Sequence, residues 1–218
     1  MNSTGRSLSL VLAFVSGYVD TAVFIHMKGL FVAHITGNFV LLGTSLVDLG
    51  TGVGLEQWAW LKLLAFPVFF VSAGLAAVVA GWVPEPRRTG FLLWLATGLI
   101  CGVGIAGLVV VGVDSLLAMV LVCSMAVLNA AQRLDVRLGP PFTVMTGNVT
   151  SVAIEVARRL GLAPSDRGLA MGTTVGTMSI LVVGFAAGCA FGAASQIWTG
   201  LSAMILPAAL LAGHLVLR

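Results

Sequence analysis

Long apolar runs broken by short polar clusters dominate the chain. The runs cover residues 8 to 25, 58 to 82, 91 to 113, 115 to 128, 168 to 194 and 197 to 217. Most can cross ~30 Å of hydrocarbon, which takes about 20 helical residues. Breaks fall at Lys28-Gly29, Asp48 to Glu56, Pro84 to Arg88, Gly112 to Ser115, Arg133 to Pro141, Gly161 to Arg167, and near Gln196. The pattern predicts an all-α polytopic membrane protein, with residues 1 to 218 forming one membrane domain.

Thr36-Gly37-Asn38 and Thr146-Gly147-Asn148 repeat one tripeptide 110 residues apart, each time opening an apolar helix-like segment. The offset persists without a gap to Gly74 and Gly184, where Phe70-Val71-Ser72-Ala73-Gly74 lies over Ile180-Leu181-Val182-Val183-Gly184. Two repeats are therefore expected, over 8 to 112 and 115 to 217. Interrupted hydrophobic segments at matching positions of two repeats point to a transport site.

Charge selects between two topologies. Eight full crossings would divide the cationic residues six against five, which is no bias. If residues 29 to 49 and 141 to 160 instead dip in and return, all nine arginines fall on one side, with only Lys28 and Lys62 on the other. The positive-inside rule prefers the second arrangement, with both termini cytoplasmic in the cell's inner (plasma) membrane. The spans are then 8 to 27, 58 to 82, 91 to 112, 115 to 132, 168 to 194 and 197 to 217. Each repeat has three spans and a re-entrant or broken half-helix starting at Thr-Gly-Asn. An odd number of crossings separates the repeats, so they are inverted.

Composition agrees with a bilayer environment. The chain is 59% hydrophobic and 9% charged, with mean hydropathy +1.09, against about 25% charged residues in soluble domains. The net charge of +3 sits at segment ends, as a topology signal and not as a nucleic-acid footprint. Residues 8 to 16 are read as the start of a span and not as a signal-peptide core, because the run continues through Phe24 without a small-residue cleavage site. Cys101, Cys123 and Cys189 have no paired spacing and read as packing residues. Trp58, Trp60, Trp82, Trp94 and Trp198 lie near span ends, as aromatic belts do.

Candidate chemistry gathers around the repeated tripeptide. Thr36 and Thr146 can cap the following helices, while Gly37 and Gly147 permit close approach. Exposed N–H groups and the positive dipole end there favour an anion or polar ligand. The competing reading is structural, with Asn38 and Asn148 tying loops together around a pseudo-twofold axis. Asp20, inside the first span, is a functional candidate by default. It can titrate as a proton-coupling carboxylate or accept bonds from the other half-helix. Its counterpart within one residue of register is Asn129, followed by Gln132. His34 precedes Thr36 by two residues and either titrates near neutral pH or is a satisfied hydrogen-bonding residue. No spacing makes a metal site of His26, His34 and Asp20. Glu155 can pair with Arg158 or Arg159 at helical spacing.

Ser16-Gly17-Tyr18-Val19-Asp20, then Gly29 to Ala33 leading into Thr36-Gly37-Asn38, and later Asn129-Ala130 with Thr146-Gly147-Asn148, resemble the YoaK-like family of uncharacterised bacterial inner-membrane proteins. The resemblance covers nearly the whole chain and implies a multi-span membrane protein, with little about chemistry. His34 stands where that family is expected to carry asparagine.

The expected function is a small-solute transporter or channel. Its mid-membrane site would lie between the two half-helix N-termini and draw on Tyr18, Asp20, His34, Thr36, Gly37, Asn38, Asn129, Gln132, Thr146, Gly147 and Asn148. The expected partners are the bilayer and a small polar or anionic solute, with no nucleic acid and homo-oligomerisation left open. No catalytic or cofactor signature is present, so no enzyme and no cofactor are expected. The alternative is a non-transporting scaffold or sensor in which the tripeptides are structural.

Overall fold

The computed structural model describes residues 3–50, 59–163 and 172–217. They are helical almost throughout, without a strand among the described residues. The helices are α1 (Ser3–His26), α2 (Ile35–Gly50), α3 (Ala59–Trp82), α4 (Glu85–Val109), α5 (Asp114–Leu134), α6 (Met145–Arg159), α7 (Gly172–Thr199) and α8 (Ile205–Val216). Short 3-10 turns at Val136–Leu138 and Gly200–Met204 complete them. Among the described residues, five stretches are long and apolar enough to cross a membrane: α1 from Gly5, α3, α4, α5 and the combined Val175–Val216. The chain is a membrane protein.

Helix boundaries follow the breaks with small shifts. Pro84 lies just outside α4 and Pro86 within its first turn, where a missing N–H costs nothing. The basic cluster Arg87-Arg88 is therefore helical. The break expected near Gln196 falls at Gly200, whose φ of +57° is a left-handed conformation suited to glycine. Trp58, Arg167 and Arg218, and much of the expected breaks at 48 to 56 and 161 to 167, lie outside the described residues. α2 and α6 begin 110 residues apart, as the repeated tripeptide requires.

α1 and α7 form the most extensive helix pair, and glycine permits it. A methyl group on Gly188 would run into the Phe14 carbonyl, and one on Gly192 into the Tyr18 carbonyl. Gly184 sits against Leu10 in the same way. The paired positions advance together, so the two helices run parallel with their backbones nearly touching, as small-residue interfaces allow.

Contacts at the two ends fix the other directions. At one end Ser9 donates to the Leu138 carbonyl at 2.7 Å, and Thr89 to Asp135 at 2.6 Å. Leu215 lines the same groove as Gly90 and Arg137. At the opposite end His26 meets Asp114 at 3.3 Å and Gln196 at 2.8 Å, Lys62 lies over Gly29, and Gly107 packs on Leu201 and Ser202. α1, α4 and α7 therefore run from the first end to the second, and α3, α5 and α8 run back. The first end carries Arg88 and Arg137; the second carries Lys28 and Lys62.

Candidate functional site

Two loops, each leading into a short helix, turn back into the bundle. In the first, Lys28 (φ 50°) and Gly29 (φ 107°) reverse the chain after α1. Residues 30 to 34 then run back beside α1 until they are level with Asp20. Such non-helical backbone inside a membrane must have its polar groups satisfied by protein. Asp20, only 3% exposed, does this. Its Oδ1 accepts from the N–H groups of Val32 at 2.7 Å and Ala33 at 2.8 Å. Its Oδ2 lies 2.6 Å from His34 Nδ1. Asn38, equally buried, reads both backbone groups of Phe31, accepting from its N–H at 2.9 Å and donating to its carbonyl at 2.8 Å.

The second loop reaches the same end with neutral groups. Gln132 donates to the Pro140 carbonyl at 2.6 Å and accepts from the Phe142 N–H at 3.2 Å. Asn129 accepts from the Thr143 hydroxyl at 2.8 Å and donates back to the Met125 carbonyl. Asn148 donates to the Pro141 carbonyl at 3.0 Å, matching the bond from Asn38 to Phe31. Its second bond is missing because proline has no N–H.

His34 joins the two loops. Its ring sits between the Asp20 carboxylate and the backbone of Thr143, and edge-on to Phe185 at 5.1 Å between centroids. Thr21 and Cys189 hydrogen-bond beside this cluster. α1, α7 and both loops thus converge on one polar junction about a third of the way along α1 from its C-terminal end. The imidazole is 26% exposed and the Asp20 side chain 4%. The junction can exchange hydrogen bonds at the ring while its carboxylate stays dry.

Several expectations are corrected. Thr36 and Thr146 do not cap their helices. α2 begins one residue before Thr36, and the N-cap of α6 is Val144, which offers no side-chain bond. Both threonines and Gly147 are exposed on the first turns. Gly37 does meet a neighbour, since a methyl there would come within 2.7 Å of the Phe31 ring. Asn38 and Asn148 close their own loops and do not reach across an axis. Asp20 likewise binds its own loop; the contact across the halves belongs to His34. Gln132 and not Asn129 takes the place of Asp20, because Phe142 is the 110-residue counterpart of Val32.

Tyr18 is not at the junction. Its hydroxyl donates to Ser195 at 2.6 Å and lies 3.0 Å from the Ala203 carbonyl, pinning α1 to the break between α7 and α8. His26 stands apart from His34, with Asp114 and Gln196. Glu155 pairs with Arg159 at 3.1 Å. Thr143 and Phe185 were missed; the only local signal was Thr143, a polar residue directly after Pro140-Pro141 and Phe142.

The profile of the family described as "Protein of unknown function (DUF1275)" matches residues 8–217. The chain belongs to that family. No curated protein and no solved structure matches it.

Proposed function

From membership of a family without an assigned activity, we propose that the protein is a small-solute transporter or channel whose site is the junction of the two loops. The observation that carries this reading is His34, a partly exposed ring held between Asp20 of one half and the Thr143 backbone of the other. Polar groups at that depth are costly and mark solute or ion paths.

The architecture proposed around it is a pair of inverted repeats with re-entrant half-helices. Leu41, Thr44 and Ser45 of α2 line one cleft with Phe24, Lys28 and Gly29, which supports α2 returning to the end where α1 finished. The 16 residues of α2 span only ~24 Å at 1.5 Å each. α6 starts level with Asn129, and α7 then leaves from the basic end, which supports a mirror-image return. Val175–Val216, at 42 residues, is about twice the length of one crossing and bends at Gly200. Six crossings result, with both termini at the arginine-rich end. That end is assigned to the cytoplasm of the plasma (inner) membrane.

A second reading, a scaffold or sensor, draws support from Asn38 and Asn148, whose side-chain bonds serve their own loops. The two readings part on one experiment. His34→Ala removes the group between the loops, with its bond to Asp20 Oδ2, and keeps the bonds of Asp20 and Asn38 to the loop backbone. Purified variant and parent protein are compared for solute flux in vesicles and for thermal unfolding in detergent. A change in flux of tenfold or more with a modest change in unfolding temperature supports transport. No flux in either protein favours the scaffold.

A further inference from the structure

Resting on the transport reading just given, we infer that the junction selects neutral or cationic solutes bearing hydrogen-bond donors and rejects anions. A half-helix N-terminus ordinarily invites an anion, through its free N–H groups and dipole. Here the anion is already built in. The Asp20 carboxylate takes the N–H groups of Val32 and Ala33, immediately ahead of α2. Asn38 takes that of Phe31.

From Gly139 to Phe142 the second loop has no free N–H either. Pro140 and Pro141 have no N–H, the Phe142 N–H is held by Gln132, and the Gly139 N–H by the Val136 carbonyl. The partly exposed group of the junction is the His34 ring, and directly behind it stands the buried Asp20 carboxylate. Lys28 and Lys62 stand at one end of the bundle beside Gly29, and Arg88 and Arg137 at the other. An anion reaching the ring would lose its hydration beside a buried carboxylate, whereas a cation or a neutral solute that points N–H or O–H groups at the ring is drawn towards that charge. Unmatched burial of charge in such surroundings costs far more than burial of a paired polar group.

Urea, guanidinium and nitrate make a matched set of probes: all three are small, planar and trigonal, and they differ in charge and in donors. Influx into vesicles containing the purified full-length protein is compared with influx into protein-free vesicles at neutral pH. Urea or guanidinium influx at least tenfold above background, with nitrate at background, is the expected result. Nitrate moving as fast as either donor-bearing probe overturns this inference and leaves the transport reading standing. Background influx of all three overturns the transport reading and this inference with it. Asp20→Asn, which can still accept both loop N–H bonds, supplies the second arm. It is expected to remain monodisperse and to raise nitrate influx relative to urea at least threefold; an unchanged ratio would show that the carboxylate does not set selectivity.

Discussion

The two loops solve one backbone problem with different chemistry. In the first half Asp20 holds two N–H groups with a charge and passes its other oxygen to His34. In the second, Gln132 and Asn129 hold the loop with neutral groups, and Val144 stands where His34 would be. Gln132 holds one loop N–H where Asp20 holds two. The transport reading therefore looks for its site in the first half, where a carboxylate and an imidazole stand in place of amides.

Substitution can break this comparison most sharply at its two anchors. Asp20→Ala leaves two buried N–H groups and an imidazole without their acceptor, and each unsatisfied group costs about 1–3 kcal/mol. Gln132→Ala strands one N–H and one carbonyl. Thermal unfolding in detergent should show the larger loss for Asp20→Ala, up to failure to yield monodisperse protein. Equal losses would mean that the charge adds nothing to the fold.

Helix contacts offer the next contrast. Gly188→Ala would press a methyl into the Phe14 carbonyl, forcing α1 and α7 apart at a cost of about 1–3 kcal/mol, typical of overpacking. Gly74, the counterpart of Gly184, has open space around it. Gly74→Ala should be neutral or stabilising by up to about 1 kcal/mol through helix propensity. Unfolding temperatures that move the same way in both variants would refute the asymmetry of the two interfaces.

A finer test uses the two asparagines. Asn38→Ala removes two backbone bonds and Asn148→Ala one, so the first should cost more by about 0.5–1.5 kcal/mol. Pro141→Ala supplies the missing N–H and should enlarge the effect of a subsequent Asn148→Ala. No enlargement would mean that the second bond does not form.

The smallest expected effect lies at the basic end. The Arg137 guanidinium, with help from the Thr89 hydroxyl, draws the Asp135 carboxyl down from 3.8 to about 2. A depressed carboxyl stabilises the folded state above its unfolded value, and the contribution is lost as pH falls from about 3.8 towards 2. Arg137→Gln should lower stability modestly at pH 7, since the exposed Arg137 guanidinium is screened by solvent, and should match the parent as the carboxyl protonates towards pH 2, so that the acid-limb dependence weakens. A variant whose stability falls as steeply as the parent's as pH drops from about 4 towards 2 would count against the pairing.

Much of the fold was legible in local patterns. Apolar runs located the long helices, and the repeated tripeptide located the starts of α2 and α6 to within one residue, because hydropathy and glycine placement are local properties. That one residue was enough to move Thr36 and Thr146 from cap to first turn. The site was legible as a set of polar residues in apolar surroundings but not as a set of bonds. Asn129 looked like the counterpart of Asp20 by register, whereas Gln132 can reach the Phe142 N–H because its side chain is one methylene longer. The partners of Tyr18 lie 177 and 185 residues away, and His34 meets a backbone group of the other half. Such pairings depend on how helices pack, which no single-chain periodicity encodes.

The central claim is that α2 returns to the end where α1 finished, so that the halves face each other in opposite senses. Single cysteines replacing Lys28 and Arg87, both exposed, test it in a background lacking Cys101, Cys123 and Cys189, with a membrane-impermeant thiol reagent on intact cells. Labelling at 28, with protection at 87 until the membrane is permeabilised, is the expected result. The same outcome at both positions would mean that α2 crosses the membrane fully, and the inverted arrangement would be abandoned.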